Sequence, residues 1–402
     1  MRKLAVTCIV VLLIVGGTIA WLVASTPKSA PPLRFPLTAE QQKFVARAPA
    51  NADAFAYVPA VAVVNAKLLA NAVTRDPIVQ WTDRQPLPRA WMLGGADLLV
   101  WRTGKSTSYA VRFDSVRATI VRIWTMIAGP HDATWDGNVM TIAEPATATT
   151  NVPLDFTIAN GLPEADAFVV QRNSARGAYP PIGRPAFSSI RINPKQIDIV
   201  SRSRTTDPTP PMVIKPSYRR GAMISAGFAE PPRILGDMNR LLGTDISGLV
   251  SSGGSIALYD VDAGLLLPRP KGVIAVRATD QSRVAIEEYR KYVELVGQMA
   301  ERDGELLVSF DQRSLPLYIN DQIVEAAWPA NRWAGRIDPA RLIPVLRRLG
   351  DNRGLRFAAP RIHRSARDLR NWIDALESAE SVEAAESVTG GVEELRVRVV
   401  SK

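Results

Sequence analysis

Cysteine and histidine are almost missing from this 402-residue chain: Cys8 is the one thiol, and His131 and His363 are the only imidazoles. A single thiol excludes a disulfide framework, and its place inside an apolar run leaves no thiol chemistry for the remainder. Neither histidine has a histidine, cysteine or paired carboxylate at ligand spacing, which disfavours a histidine metal site. Recognisable catalytic motifs are missing too. Gly104-Lys105-Ser106 ends like a phosphate-binding loop, but Leu99 stands where the earlier glycine is required, and the triplet joins two predicted strands. Ser251, Ser252 and Ser255 flank Gly253-Gly254 without forming the Gly-x-Ser-x-Gly elbow. Asp260 and Asp262 have no third ligand nearby and read as turn residues. No cofactor, metal or catalytic residue is expected.

Long apolar runs are also scarce, with one exception. Leu4 to Ala24 is uncharged and follows Met1, Arg2 and Lys3. Roughly 20 apolar residues cover the ~30 Å hydrocarbon core of a bilayer. Leu22-Val23-Ala24 has leucine at the wrong end of a small-x-small cleavage site, so residues 1–24 are expected to stay as a transmembrane anchor. Basic residues vote weakly on sidedness, because Lys28, Arg34 and Lys43 oppose Arg2 and Lys3. A basic tip before an apolar run is the signal-anchor layout. It predicts a single-pass membrane protein with a cytoplasmic N-terminus and the bulk of the chain in the periplasm or at the cell surface.

What is present after the anchor has a globular balance, 47% hydrophobic and 22% charged, with a net charge of +10 that suits anionic partners. Residues 25–36 (STPKSAPPLRFP) read as a stiff proline-rich spacer. Thr38 and Gln41 have capping-box spacing at the start of a helix. Two α+β units are then expected, 37–161 and 162–402. Ala-Asp-Ala-Phe occurs at 52–55 and again at 165–168, each time leading into a strand. Gly94-Gly95 and Gly253-Gly254 each precede two strands and an amphipathic helix, Ser115 to Ala128 in the first case and Asp280 to about Glu301 in the second. Short helices are expected near Asn65 and over Pro231–Leu242, hairpins at Asp136-Gly137 and Asn193-Pro194-Lys195, and two or three strands between Glu305 and Trp328. Asp338-Pro339 opens a helix ending at Gly350, Ser365 opens another, and Val392 to Val400 alternates as a half-buried strand. The fold class predicted is α+β: a transmembrane helix, then two similar units of antiparallel sheet packed with helices.

The opening phrase Pro49 to Val58, with the Gly-Gly hairpin and long helix after it, resembles bacterial membrane-anchored envelope proteins of unknown function. Their repeats begin with a Leu-Pro-Ala-Asp-Thr-x-Ala-Tyr-Val type phrase. Here Ala54 and Ala167 stand in place of the threonine. The resemblance covers most of residues 48 to 400 and implies an anchored α+β repeat protein, with no assigned chemistry to carry over.

Arg172 to Arg220 interrupts the pattern with ten lysines or arginines against Asp198 and Asp207. Arg191, Lys195, Arg202, Arg204, Lys215, Arg219 and Arg220 are therefore the candidate contact residues for anionic lipid or an envelope polymer. The competing reading makes them solvated guards of an edge strand. Nucleic acid is disfavoured, because aromatic residues are sparse and no recognition motif occurs. These observations point to an extracytoplasmic binding or scaffolding protein of the cell envelope without evident catalysis. The alternatives are an extracytoplasmic enzyme with its site between the units, and a cytoplasmic-facing regulator binding anionic lipid or nucleic acid.

Overall fold

The computed structural model describes residues 24–75, 93–104, 106–128, 132–143, 155–172, 185–210, 213–214, 217–229, 253–262, 269–309, 311–352, 354 and 376–402. Its main feature is antiparallel β-sheet, present in both parts of the chain and accompanied by six α-helices among the described residues. The chain divides into two compact units, one comprising Met1–Pro194 with Ile199–Arg204, the other Lys195–Asp198 with Thr205–Lys402.

In the first unit the described elements are α1 (Ala39–Val45), β1 (Ala54–Val58), α2 (Val61–Ala70), β2 (Asp97–Thr103), β3 (Ser106–Arg112), α3 (Ser115–Ala128), β4 (Ala133–Asp136), β5 (Val139–Ile142), a 3-10 turn at Phe156–Ala159, β6 (Ala167–Gln171), β7 (Ala186–Asn193) and, from Ile199 on, β8 (Gln196–Arg204). They lie in the order β8-β7-β6-β1-β2-β3-β5-β4. Local turns set the outer half of this order, with Gly104 and Gly137 in positive-φ positions between β2 and β3 and between β4 and β5. Both faces of the sheet are covered, so β2 reads as a continuous apolar run instead of an alternation. Leu99 and Trp101 face one core with Phe55, Tyr57, Phe168 and Phe187, while Leu98 faces another with Val111, Met140 and the α3 residues Ala118 and Val121.

The second unit contains β9 (Ser217–Arg219), β10 (Ile224–Phe228), β11 (Gly254–Asp262), β12 (Arg269–Arg277), α4 (Asp280–Val296), β13 (Met299–Arg302), β14 (Glu305–Ser309), α5 (Ser314–Asn320), β15 (Ile323–Glu325), β16 (Trp333–Ile337), α6 (Pro339–Asp351), β17 (Ala379–Thr389) and β18 (Val392–Ser401). Its order is β13-β14-β12-β11-β10-β16-β17-β18, and β9 pairs with β15 as a separate ribbon. Read from β4 and from β13, the two orders correspond strand for strand. The second set starts at Ile224, not at the Ala-Asp-Ala-Phe phrase near 165, because that phrase supplies β6, which pairs with β1.

Several expectations are corrected. The fold is dominated by antiparallel strands, where two α+β units behind a transmembrane helix were expected. Among the described residues no helix is long and apolar enough to cross a membrane. The single-pass, signal-anchored arrangement with a periplasmic or cell-surface module is therefore withdrawn. Leu4 to Val23 of the expected anchor lie outside the described residues, as do Pro231–Leu242 and the helix from Ser365. Gly297 ends α4 early: a Cβ there would sit 2.0 Å from the Ser309 carbonyl oxygen, and Met299–Arg302 leaves to pair with β14. Part of the expected β region after Glu305 is helical as α5. The last residues of the proline-rich stretch belong to the core of the first unit, since Leu33 is buried and exchanges backbone hydrogen bonds with Ala165 at 2.7 and 3.0 Å.

Candidate ligand groove in the first unit

Two short segments wall a groove in the first unit. On one side the chain runs from Leu33 into α1, whose capping box is complete: Gln41 N–H donates to Thr38 Oγ1 at 3.3 Å, and Thr38 N–H donates to Gln41 Oε1 at 2.9 Å. The cap fixes the entry of α1, so Gln42 can donate its Nε2 to the Leu37 carbonyl at 2.9 Å. On the other side Asp155 Oδ1 accepts from Thr157 N at 3.0 Å and starts the 3-10 turn. A buried aromatic pair supports both walls. Phe168 and Phe187 stand 6.2 Å apart, with Phe35 at 5.0 Å from Phe168 and Phe156 at 5.5 Å from Phe187.

The groove is open to solvent and holds a space of about 210 Å³, lined by Phe35, Leu37, Gln42, Phe156, Thr157 and Asn160 among others. Its apolar walls come with two carboxamides, groups that can both donate and accept hydrogen bonds. Electrostatics at the rim are locally neutralised. Hydrogen bonds from Thr157 and then Arg204 hold the Asp155 carboxyl down at about 2.

Two of the seven basic residues singled out from the sequence, Arg202 and Arg204, meet behind this turn. Arg202 Nη1 donates to the Asn160 carbonyl at 2.8 Å, and Arg204 donates from Nε and Nη2 to Asp155 Oδ2 at 2.9 and 2.6 Å. Arg191, also in the first unit, is exposed on β7. Lys195, Arg219 and Arg220 belong to the second unit, and Lys215 lies outside the described residues. Arg219 stacks on Tyr318 with its guanidinium carbon 3.9 Å from the ring centroid, and Arg220 Nη1 donates to Gln322 Oε1 at 2.7 Å. Comparison with protein-family models, curated proteins and solved structures finds no match for this chain.

Other polar clusters are closed knots. In the second unit Asp321 accepts from Gly221 N at 2.9 Å and from Tyr259 Oη at 3.2 Å. Burial, then the Asp321 charge, pushes the Tyr259 hydroxyl well above its ordinary range. Asp260 is taken by Arg348 at 2.5 Å. Among the described residues no group of three or more histidine, cysteine, aspartate or glutamate side chains could hold a metal ion. His131 and His363 lie outside the described residues.

Sequence reasoning missed the groove because its residues fall in a stretch classed as spacer and in a four-residue turn. A signal was there: Leu33, Phe35 and Leu37 recur at every second position, the period of a chain with one face against a core.

Proposed function

We propose that this is a binding protein whose first unit takes one apolar side chain of an extended partner polypeptide into the groove. The observation that carries this reading is a space of about 210 Å³ lined by both Phe35 and Phe156 and also by Gln42 and Asn160. That volume falls below the ~300 to 1,000 Å³ of most small-molecule and cofactor sites, so one side chain is the right size of occupant. The phenylalanines offer apolar faces, and the carboxamides match the donor and acceptor of a peptide group. Arg202 and Arg204 serve this site by holding its turn.

Affinity at one such groove is modest. A capped amino acid of ~12 heavy atoms, at ~0.3 kcal/mol per atom, reaches ~4 kcal/mol, a dissociation constant of about 1 mM. The test is an NMR titration of the full chain with N-acetyl-leucine amide, with methyl glucoside as comparator. Saturable shifts at millimolar amide, lost in Phe156→Ala, are expected. The proposal fails if the amide gives no saturable shift, if Phe156→Ala leaves it intact, or if the glucoside binds equally well.

A further inference from the structure

Four phenylalanines form a continuous series in the first unit. Between ring centroids, Phe35 stands 5.0 Å from Phe168, Phe168 6.2 Å from Phe187, and Phe187 5.5 Å from Phe156. All three separations fall within the ~4.5 to 7 Å of favourable aromatic pairs. The two outer rings are inclined to their inner neighbours by 55° and 66°, so they meet them tilted or edge-on. Phe168 and Phe187 are 0% exposed and stand on the paired strands β6 and β7, which hold them in place. Of the four, the outer two keep accessible surface, and both line the groove.

The series decides what suits the groove. An aliphatic side chain entering it gains from burial alone. A ring gains in addition from the quadrupoles of Phe35 and Phe156, through edge-to-face or offset contacts. Cations are also drawn to aromatic faces. Among the described residues that line the groove there is no carboxylate to pair with one, and Asp155 at the rim is taken by Arg204 at 2.6 Å. Gln42 and Asn160 are left for the peptide group beside the ring.

We propose, resting on the reading of this groove as a site for an extended polypeptide, that the side chain it takes is aromatic and that Phe35 and Phe156 set the preference. One aromatic pair is worth about two- to twelvefold in affinity, and two pairs about five- to hundredfold.

NMR titration of the full chain with the N-acetyl amides of phenylalanine, leucine and cyclohexylalanine separates ring chemistry from size, because cyclohexylalanine is as bulky and as apolar as phenylalanine but has no π-system. The phenylalanine amide should bind about fivefold or more tighter than either of the others. In a Phe35→Leu, Phe156→Leu variant with unchanged circular dichroism, the phenylalanine and cyclohexylalanine amides should bind within about twofold of each other. The comparison in the unaltered chain stands whether or not that variant folds. Equal affinity for those two amides in the unaltered chain would overturn the aromatic preference and leave the groove's binding role intact. A preference that survives in the variant would overturn the roles of Phe35 and Phe156, and tighter binding of N-acetyl-lysine amide would put a cation in place of the ring. No saturable shift with any amide would overturn the preference and the binding role together.

Discussion

Arg204 donates from Nε and Nη2 to a single carboxylate oxygen of Asp155, at 2.9 and 2.6 Å, so a cation that the sequence offers to a partner is spent on the turn carrying Phe156. The pair is partly exposed, with 63% and 41% of the two side chains accessible, so solvent screens it and global stability should hardly respond to its loss. The groove should respond. Arg204→Met is expected to leave the melting temperature unchanged and to weaken N-acetyl-leucine amide binding several-fold. A matched loss of both would mean that the pair supports the unit as a whole instead of the turn.

The same carboxylate sets an acid limit. Asp155 is held at about 2, below its ordinary 3.8, by hydrogen bonds from Thr157 and then Arg204. A depressed carboxylate pKa means that the ionised form is favoured in the folded state. Its contribution is complete above about pH 4 and is lost as pH falls through about 2. Probe binding should stay constant from pH 7 to about 4 and decline below that. Asp155→Asn should bind weakly with no such decline, and an unaltered acid profile in that variant would show that another group is responsible.

How far the sequence discloses this molecule depends on the range of the interactions that decide each feature. The capping box at Thr38 and Gln41, the Asp338-Pro339 start of α6 and the Asp136-Gly137 turn are settled within a few residues, and each can be read locally. Pairing of β6 with β1, or of β16 between β10 and β17, depends on residues more than a hundred positions apart in most cases and leaves no short-range mark. The end of α4 was missed for a related reason. Gly297 is placed by the Ser309 carbonyl across the hairpin, and helical periodicity alone carries the pattern past it. At the groove, positive charge is visible in the sequence, whereas the partners that occupy it, Asp155 for Arg204 and the Asn160 carbonyl for Arg202, are fixed by the fold.

Two buried tyrosines, Tyr57 and Tyr218, and the half-buried Tyr259 predict an alkaline limit. Burial is the first cause that raises Tyr57, Tyr218 and Tyr259 above their ordinary 10.0, followed by the nearby charges of Asp97, Glu383 and Asp321 respectively. A raised pKa makes the folded state hold the proton more tightly. The stability linked to it is complete below pH 10 and lost as pH rises beyond. Denaturant midpoints should be flat from pH 7 to 9 and fall above 10, with absorbance at 295 nm showing these tyrosines ionise only on unfolding. Tyr259→Phe should reduce the slope. Free ionisation near pH 10 without unfolding would contradict the burial.

The two double-glycine elements should differ in tolerance. Gly94 and Gly253 both have positive φ, at +49° and +78°. A Cβ at Gly94 meets the Arg117 guanidinium at 2.3 Å, a buried side-chain end that can shift only by giving up its bonds to Asp114 and Ser25, whereas at Gly253 it meets the Phe228 carbonyl oxygen at 2.8 Å, which the β10–β11 pairing fixes. Gly94→Ala should cost the left-handed backbone penalty of about 1 to 2 kcal/mol and loosen the Arg117 pairs, whereas Gly253→Ala must displace backbone and should cost more. Equal costs in chemical denaturation would remove the distinction.

Asn331 closes the end of β16 with its side chain. Buried to 5% exposure, it donates Nδ2 to the Val388 carbonyl at 2.6 Å and accepts from Val388 N at 2.7 Å, so a carboxamide substitutes for a backbone pair on β17. Asn331→Ala deprives two buried backbone groups of their partners, each worth about 1 to 3 kcal/mol when left unmet. A loss of about 2 to 6 kcal/mol is therefore expected, with the denaturant m-value unchanged. Asn331→Asp should do no better. It retains an acceptor for the amide but directs a second carboxylate oxygen at the carbonyl, where a donor is required. Denaturant unfolding of both variants decides the point. A loss below about 1 kcal/mol in Asn331→Ala would mean that water satisfies Val388 and that the strand end does not depend on this side chain.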